Sequence, residues 1–152
     1  MHGGLTIRKA GVVPHHIMDE EMKKMQLARI SGDIVDTLIF VEHDDIVTVG
    51  PRAVKSGVII PNGYDSRKVD RGGSITWHGP GQLVVYPIFL WNRDDEKSVK
   101  SIISKLENWV ITAFEKMGIE GHLDERMMGV WVQEKKICSI GLSFMKWVSR
   151  HG

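Results

Sequence analysis

Cysteine is almost absent: Cys138 is the single one in 152 residues, so no internal disulfide can form, and a reducing compartment fits. No apolar run approaches the length of a membrane span, and the stretch Met1 to Thr6 lacks the apolar core of a signal peptide. A soluble cytoplasmic protein is expected. Neither sign of charge dominates, since 20 Lys+Arg against 19 Asp+Glu leave +1. Without a basic run to neutralise phosphates, nucleic acid is a poor partner. Repeats and low-complexity tracts are missing as well. The histidines, His2, His15, His16, His43, His78, His122 and His151, show neither Cys-x-x-Cys nor His-Glu-x-x-His spacing. A structural zinc site is therefore not expected, and His15-His16 reads as a solvated pair.

What is present is an ordinary globular composition, 42% hydrophobic and 26% charged, in a chain long enough to bury a core as one domain, residues 1–152. A short strand is expected at Leu5 to Ile7. Met18, Met22 and Met25 recur at helical spacing and predict a helix from Met18 to Ile30, with Asp19, Glu20 and Glu21 placed early, where the helix dipole favours anions. Val35 to Glu42 reads as a largely buried strand, Ile46 to Val49 as a second, and Gly50 to Asp65 as a loop. Strands are expected at Arg67 to Asp70 and Leu83 to Leu90, with a bulge or an edge at Pro87. The apolar series Val99, Ile102, Ile103, Leu106, Trp109, Val110, Ala113, Phe114 and Met117 predicts a core-facing helix capped by Gly118. Gly121 to Met128 reads as a loop, followed by a hairpin of Gly129 to Gln133 and Lys136 to Phe144. The tail ending in His151-Gly152 has no evident place to pack its last residues.

Between two of these strands lies the stretch Arg71 to Gln82, with four glycines, a proline, a cation and an imidazole in twelve residues. A β-turn would account for Gly79-Pro80-Gly81 but leaves Arg71-Gly72-Gly73 and His78 unexplained. Glycines let a ligand approach the main chain, while Arg71 and His78 supply a fixed charge and a titratable donor or acceptor. Two further side chains invite chemistry. Cys138, between Ile137 and Ser139, reads as a small buried thiol rather than a nucleophile, which needs an electropositive and partly exposed setting. Lys136 begins a strand and could be held at a pocket rim as base or oxyanion donor; the competing reading is a charged hairpin turn at Lys135-Lys136.

Asp70-Arg71-Gly72-Gly73-Ser74-Ile75-Thr76-Trp77-His78-Gly79-Pro80-Gly81-Gln82, together with Gly129-Val130-Trp131-Val132, Lys135-Lys136-Ile137-Cys138-Ser139-Ile140-Gly141 and His151-Gly152, resembles the octanoyltransferases, also called lipoyl(octanoyl) transferases or the lipoate-protein ligase B family. Glu42-His43 and Val47-Thr48-Val49-Gly50 are similar to an early segment of that family, with Asp45 where a proline is often found. The resemblance implies an α/β fold of the α+β type, a mixed sheet flanked by helices like the catalytic domain of the biotin and lipoyl protein ligases. It implies transfer of an octanoyl group from octanoyl-acyl carrier protein to a lysine of the lipoyl domains of 2-oxoacid dehydrogenases or of the glycine cleavage H protein. No cofactor and no metal are implied. By the same resemblance Arg71, Gly72, Gly73, Ser74, Ile75, Thr76, Trp77, His78, Ser139, Ile140, Gly141 and Gly152 bind the acyl group, and Lys136 lowers the pKa of a cysteine that carries it as a thioester.

In the family that cysteine lies in a Pro-Cys-Gly motif beyond the His-Gly pair. Cys138 occupies the ordinary cysteine position of the Lys-Ile-Cys-Ser motif. The sequence is thus expected to be the larger N-terminal part of such an enzyme, binding acyl groups without turning over. Two alternatives stand beside it: a lipoate or biotin ligase-like enzyme that forms an adenylate, and a non-catalytic acyl-binding module or half of an enzyme completed by another chain.

Overall fold

A computed structural model describes residues 4–152; His2 lies outside them. In chain order the elements are β1 (Leu5–Val12), α1 (His15–Ser31), β2 (Asp36–Glu42), β3 (Ile46–Val49), α2 (Pro51–Ser56), β4 (Ser66–Lys68), β5 (Ile75–His78), β6 (Val84–Ile88), α3 (Val99–Glu115), β7 (His122–Asp124), β8 (Met127–Val132), β9 (Lys135–Cys138), β10 (Leu142–Met145) and β11 (Val148–His151). They fall into two compact units. The first holds the described residues up to Leu90 together with Gly141–Gly152, and the second Trp91–Ile140. The fold is mixed α+β, with sheets and flanking helices, as the sequence predicts.

In the first unit, β1 and β2 are parallel and joined by α1, and β6 runs antiparallel to β2. Met18, Met22 and Gln26 repeat every fourth residue, so one face of α1 is buried. Its methionines meet Ile39, Val41, Val84, Tyr86, Ile88 and Val148 in the core. The helix starts at His15, earlier than the methionine spacing suggests, because Pro14 with φ −54° already has a geometry that can lead into it. Asp19 to Glu21 therefore lie past the first turn. Strand β2 alternates, with Thr37, Ile39 and Val41 buried and their neighbours half-buried. Pro87 pairs with Leu38 in unbroken register, so it marks no bulge and sits on the flank of this three-stranded sheet.

A second sheet places β3 between parallel β4 and antiparallel β5. Two expectations change here. The loop after Gly50 contains α2, because Pro51 occupies the first helical position, where its missing N–H costs nothing, and Gly57 closes the helix at φ +65°. A third of the glycine-rich stretch is likewise a strand: Ile75–His78 pairs residue by residue with Ile46–Val49. The tail is also corrected. Strands β10 and β11 form a hairpin whose Val148, Ser149, Arg150 and His151 are all buried. The Ser149 amide donates to Phe89 O at 2.9 Å, continuing the edge of β6.

The second unit combines α3 with the antiparallel sheet β7-β8-β9. Ser98 caps α3, accepting from the Ser101 amide while Ser101 Oγ accepts from the Ser98 amide. Gly118, with φ +74°, follows two residues beyond the cap, and the Ile119 amide returns to Phe114 O at 2.9 Å. The apolar stripe is less buried than its periodicity predicts. Ile102, Ile103 and Glu107 are covered, whereas Val99, Trp109 and Met117 are exposed. Three short strands make too small a sheet to cover the full stripe. The loop expected at Gly121 to Met128 is a hairpin, with β7 pairing to the start of β8. Among the described residues no helix is long and apolar enough to cross a membrane.

Candidate active site

The first unit builds its polar centre from β3 outward. Thr48 is buried, and its carbonyl and hydroxyl accept from Arg71 Nη2 at 3.0 and 2.8 Å. Arg71 Nη1 donates to Gly72 O at 3.0 Å and Ser74 O at 3.4 Å. The guanidinium, 6% exposed, therefore staples β3 to the turn that follows Arg71, and all four acceptors are carbonyl or hydroxyl oxygens. Burial pushes its pKa down. The Gly50 amide donates to Ser74 O at 2.7 Å, and a Cβ on Gly50 would lie 2.5 Å from Gly73 O. The Thr-x-Gly end of β3 and the Arg-Gly-Gly turn thus interlock, with Gly73 at φ +101°.

Two further segments reach the same turn. The Gly72 amide donates to Leu142 O at 2.9 Å and the Gly141 amide to Gly152 O at 2.6 Å. A Cβ on Gly141 would lie 2.8 Å from Gly72 O, whereas one on Gly72 would meet only Leu142 O at 3.6 Å. Main chain from Gly72, Gly141 and Gly152 meets here, with the Arg71 side chain against Gly141 and the Tyr86 ring near Gly152, and Gly72 faces outward. Strand alternation then divides the next residues: Thr76 and His78 are half-buried on one face of β5, while Ile75 and Trp77 are exposed on the other. Trp77 Nε1 donates to Asp45 at 3.0 Å.

His78 belongs to a cluster that sequence reading did not find. The rings of His15, His43 and His78 lie 5.1 to 5.9 Å apart. His43 Nδ1 donates to Val13 O at 2.6 Å, which leaves Nε2 to accept from the Tyr86 hydroxyl at 2.8 Å. His15 is not the solvated residue expected: it is 4% exposed, and its Nδ1 has no partner. Of the pair, His16 is the one that faces solvent. The cause is the early start of α1, which turns position 15 inward beside Met18. Burial, reinforced by His43 and His78, pushes the His15 pKa to about 3, and burial lowers His43 and His78 as well. Burial also raises the Tyr86 phenol.

Beside the cluster, Arg150 donates to Asp70 Oδ2 at 2.5 Å, Asp19 Oδ1 at 3.2 Å and Gln26 Oε1 at 3.2 Å. His151 Nε2 lies 2.9 Å from Asp70 Oδ1. Burial pushes the Asp19 carboxyl up, but Lys23, His151 and Arg150 outweigh it and hold it below its usual value. His151, with φ +65°, has its pKa lowered by burial and by Arg150. No spacing in the sequence pairs residue 19 with residue 150; only the His-Gly motif hinted at position 151.

The second unit carries the other predicted residues. Gly129 has φ +116°, and a Cβ there would lie 2.5 Å from Lys136 Cε and 2.3 Å from Cys138 O. The half-buried Lys136 side chain therefore lies across a glycine at the register shift of β8 against β9. The Gly129 amide donates to Glu107 at 2.8 Å. Cys138 is half-buried; burial pushes its thiol up, with Lys136 opposing and Glu107 adding. Ser139 is exposed and Ile140 half-buried. An open groove of about 640 Å³ is lined by Val49, Pro51, Arg52, Val54, Lys55, Lys68 and Val69, and another of about 510 Å³ runs beside Ser98, Ser101, Lys105 and Trp109. Predicted site residues line neither. Among the described residues no three His, Cys, Asp or Glu side chains are grouped to hold a metal.

Comparison with known proteins follows the same residues. Residues 19–152 match the family model described as lipoyl protein ligase A/B catalytic domain. An octanoyltransferase of Thermoanaerobacter sp. (strain X514) is 33% identical over 156 residues, covering 96% of this chain and 66% of its own length. An octanoyltransferase of Rubrobacter xylanophilus is 38% identical over 155 residues, covering 95% and 68%. The chain thus spans about two thirds of the length of these curated relatives. Among solved structures, a bipartite lipoate protein ligase of Thermoplasma acidophilum superposes with a TM-score of 0.67 at 18% identity, over 98% of this chain and 59% of that one. A lipoate-protein ligase A bound with ATP gives 0.60 at 16%, over 99% and 64%. At those identities the structures speak for the fold.

Proposed function

This chain belongs to the lipoyl protein ligase A/B catalytic domain family, and from that premise we propose that it binds an octanoyl group for transfer from octanoyl-acyl carrier protein to a lysine of a lipoyl domain, in the cytoplasm. The observation that carries the reading is the surface of main chain at Gly72, Gly141 and Gly152, with an open position over Gly72. A wall of main chain with an open glycine admits an apolar chain up to the backbone at Gly72. Arg71 acts by ordering that wall, because its Nη donors are already engaged by Thr48, Gly72 and Ser74. Gly73, Ser74, Thr76 and His78 continue it, with Ile75 and Trp77 offering apolar surface on the other face of β5. Ser139 and Ile140 are the proposed binding residues of the second unit.

The acceptors are lipoyl domains of 2-oxoacid dehydrogenases and the glycine cleavage H protein. Lys136 serves by lowering the pKa of the thiol that carries the acyl group as a thioester. That thiol is not Cys138: burial keeps its proton on, and a protonated thiol is a poor nucleophile. The relatives named octanoyltransferase, at 33% and 38% identity, support transfer over adenylate formation.

Calorimetry with octanoyl-acyl carrier protein, followed by intact-mass analysis, tests this. Saturable binding is expected, weakened roughly tenfold by Gly72→Val, about 1.4 kcal/mol. No octanoyl adduct on Cys138 is expected, and finding one reverses the assignment of that thiol. Pyrophosphate release from ATP and octanoate would replace transfer by ligation.

A further inference from the structure

Gln82 ends the glycine-rich stretch, and its two polar atoms decide where a proton sits on His78. Its Nε2 amide donates to Trp77 O at 3.0 Å. A main-chain carbonyl only accepts, so the side-chain amide cannot be turned round without setting two acceptor oxygens against each other. With the amide so oriented, Gln82 Oε1 faces His78 Nδ1 at 2.6 Å. An amide oxygen also only accepts, so the proton of the neutral imidazole is on Nδ1. Nε2 then carries the lone pair, and it has no hydrogen-bond partner among the described residues.

The motif His-Gly-Pro-Gly-Gln acquires a purpose in this light. The Gln82 amide N–H closes a turn onto Gly79 O at 3.1 Å, with Gly81 at φ +84°, and this brings residue 82 back over residue 78. Gly79 is needed too, because a Cβ there would lie 2.1 Å from the Trp77 ring. His15 stacks on the His78 ring at 5.9 Å and 15°, and His43 meets it edge-on at 5.8 Å, so the ring is held on its faces as well as at Nδ1.

We propose that Gln82 is a positioning residue that locks His78 in the Nδ1–H tautomer, so that Nε2 meets a ligand as a hydrogen-bond acceptor. Resting on the transfer reading above, the consequence is that His78 takes a hydrogen bond from the amine of the incoming lysine and gives none to the acyl carbonyl.

Long-range ¹⁵N–¹H spectra of the imidazole groups in the full 152-residue chain at neutral pH test the lock directly. A protonated Nδ1 and a bare Nε2 are expected for His78. Gln82→Leu shifts His78 toward the Nε2–H form that free histidine favours, and Gln82→Glu restores Nδ1–H, because a carboxylate accepts from the same place. An Nε2–H pattern in the unmodified chain, or an unchanged pattern in Gln82→Leu, overturns the proposal. The tautomer is read without any acyl donor, so this failure and failure of the octanoyl reading are separate events.

Discussion

The two units treat buried charge in opposite ways. In the first, bases and acids are buried together: His15, His43, Arg71, Arg150, His151 and Asp19 are each under 9% exposed. The histidines there are held neutral, and Arg150 is hydrogen-bonded to both Asp19 and Asp70, with Asp19 paired to Lys23 as well. In the second, the buried ionisable residues are two glutamates, Glu96 and Glu107. Glu107 accepts from one main-chain amide, and Glu96 pairs with Lys105. Lys136 lies across a glycine on a hairpin. The first arrangement gives rigidity and acid sensitivity. The second buries fewer charged groups and leaves Lys136 half-buried.

Removing Arg150 is the sharpest way to break this contrast. Arg150→Met would take from Asp19, Asp70 and Gln26 a shared donor while Lys23 still pairs with Asp19 at 2.9 Å, and a loss of about 1.5–3 kcal/mol is expected, read from urea unfolding monitored residue by residue. Amides of α1 and β11 should open first. Retention of stability within 1 kcal/mol, on the order of a surface pair, would mean the network carries no weight. In the second unit Gly129→Ala is the counterpart. Its Cβ would be driven into Cys138 O at 2.3 Å and Lys136 Cε at 2.5 Å, at φ +116°, so a cost of about 1–3 kcal/mol and displacement of the lysine are expected. An unchanged Lys136 side-chain chemical shift in the folded variant would speak against that contact.

The legible part of the site was the part written in backbone chemistry. Arg71-Gly72-Gly73 and the His-Gly-Pro-Gly-Gln run announce close main-chain approach, and the structure supplies it at Gly50, Gly141 and Gly79. Gln82 could have been singled out from its i,i+4 spacing to His78. The histidine cluster could not. Residues 15, 43 and 78 come from α1, the end of β2 and β5, and only tertiary packing brings them within 6 Å. The helix α2 and the strand β5 were hidden for a related reason: Pro51 and the flanking glycines mark breaks, and the same residues open or close short elements when packing favours them. Arg150 and Asp19, at opposite ends of the chain, carry no local signal at all.

Acid exposes the contrast without mutation. His15 has a folded pKa of about 3 against an ordinary value near 6.5, and His43, His78 and His151 are lowered as well. A lowered histidine binds its proton more readily unfolded, so its stabilisation is complete above pH 6.5 and is lost as pH falls toward the folded value. For His15 the slope approaches about 1.4 kcal/mol per pH unit between those limits. Unfolding curves at pH 7 and pH 5 should separate by that order, and the separation should shrink in His15→Phe, which keeps a ring beside His43 and His78 without the titration. Equal midpoints at the two pH values would remove the neutral-histidine reading.

The smallest expected effect belongs to the second unit and sets its baseline. Ser98 caps α3 through the Ser101 amide at 3.0 Å, and Ser101 returns the contact to the Ser98 amide at 3.2 Å. Ser98→Ala removes one side of that box, for a loss of about 1 kcal/mol. Because Ser98 and Ser101 are uncharged at any working pH, the loss should be the same at pH 7 and pH 5. Measured beside the His15 variant, a pH-independent cap loss and a pH-dependent histidine effect assign acid sensitivity to the first unit. A cap loss that grew in acid would show that the second unit is acid-sensitive too, and the division of labour drawn between the units would then have to be redrawn.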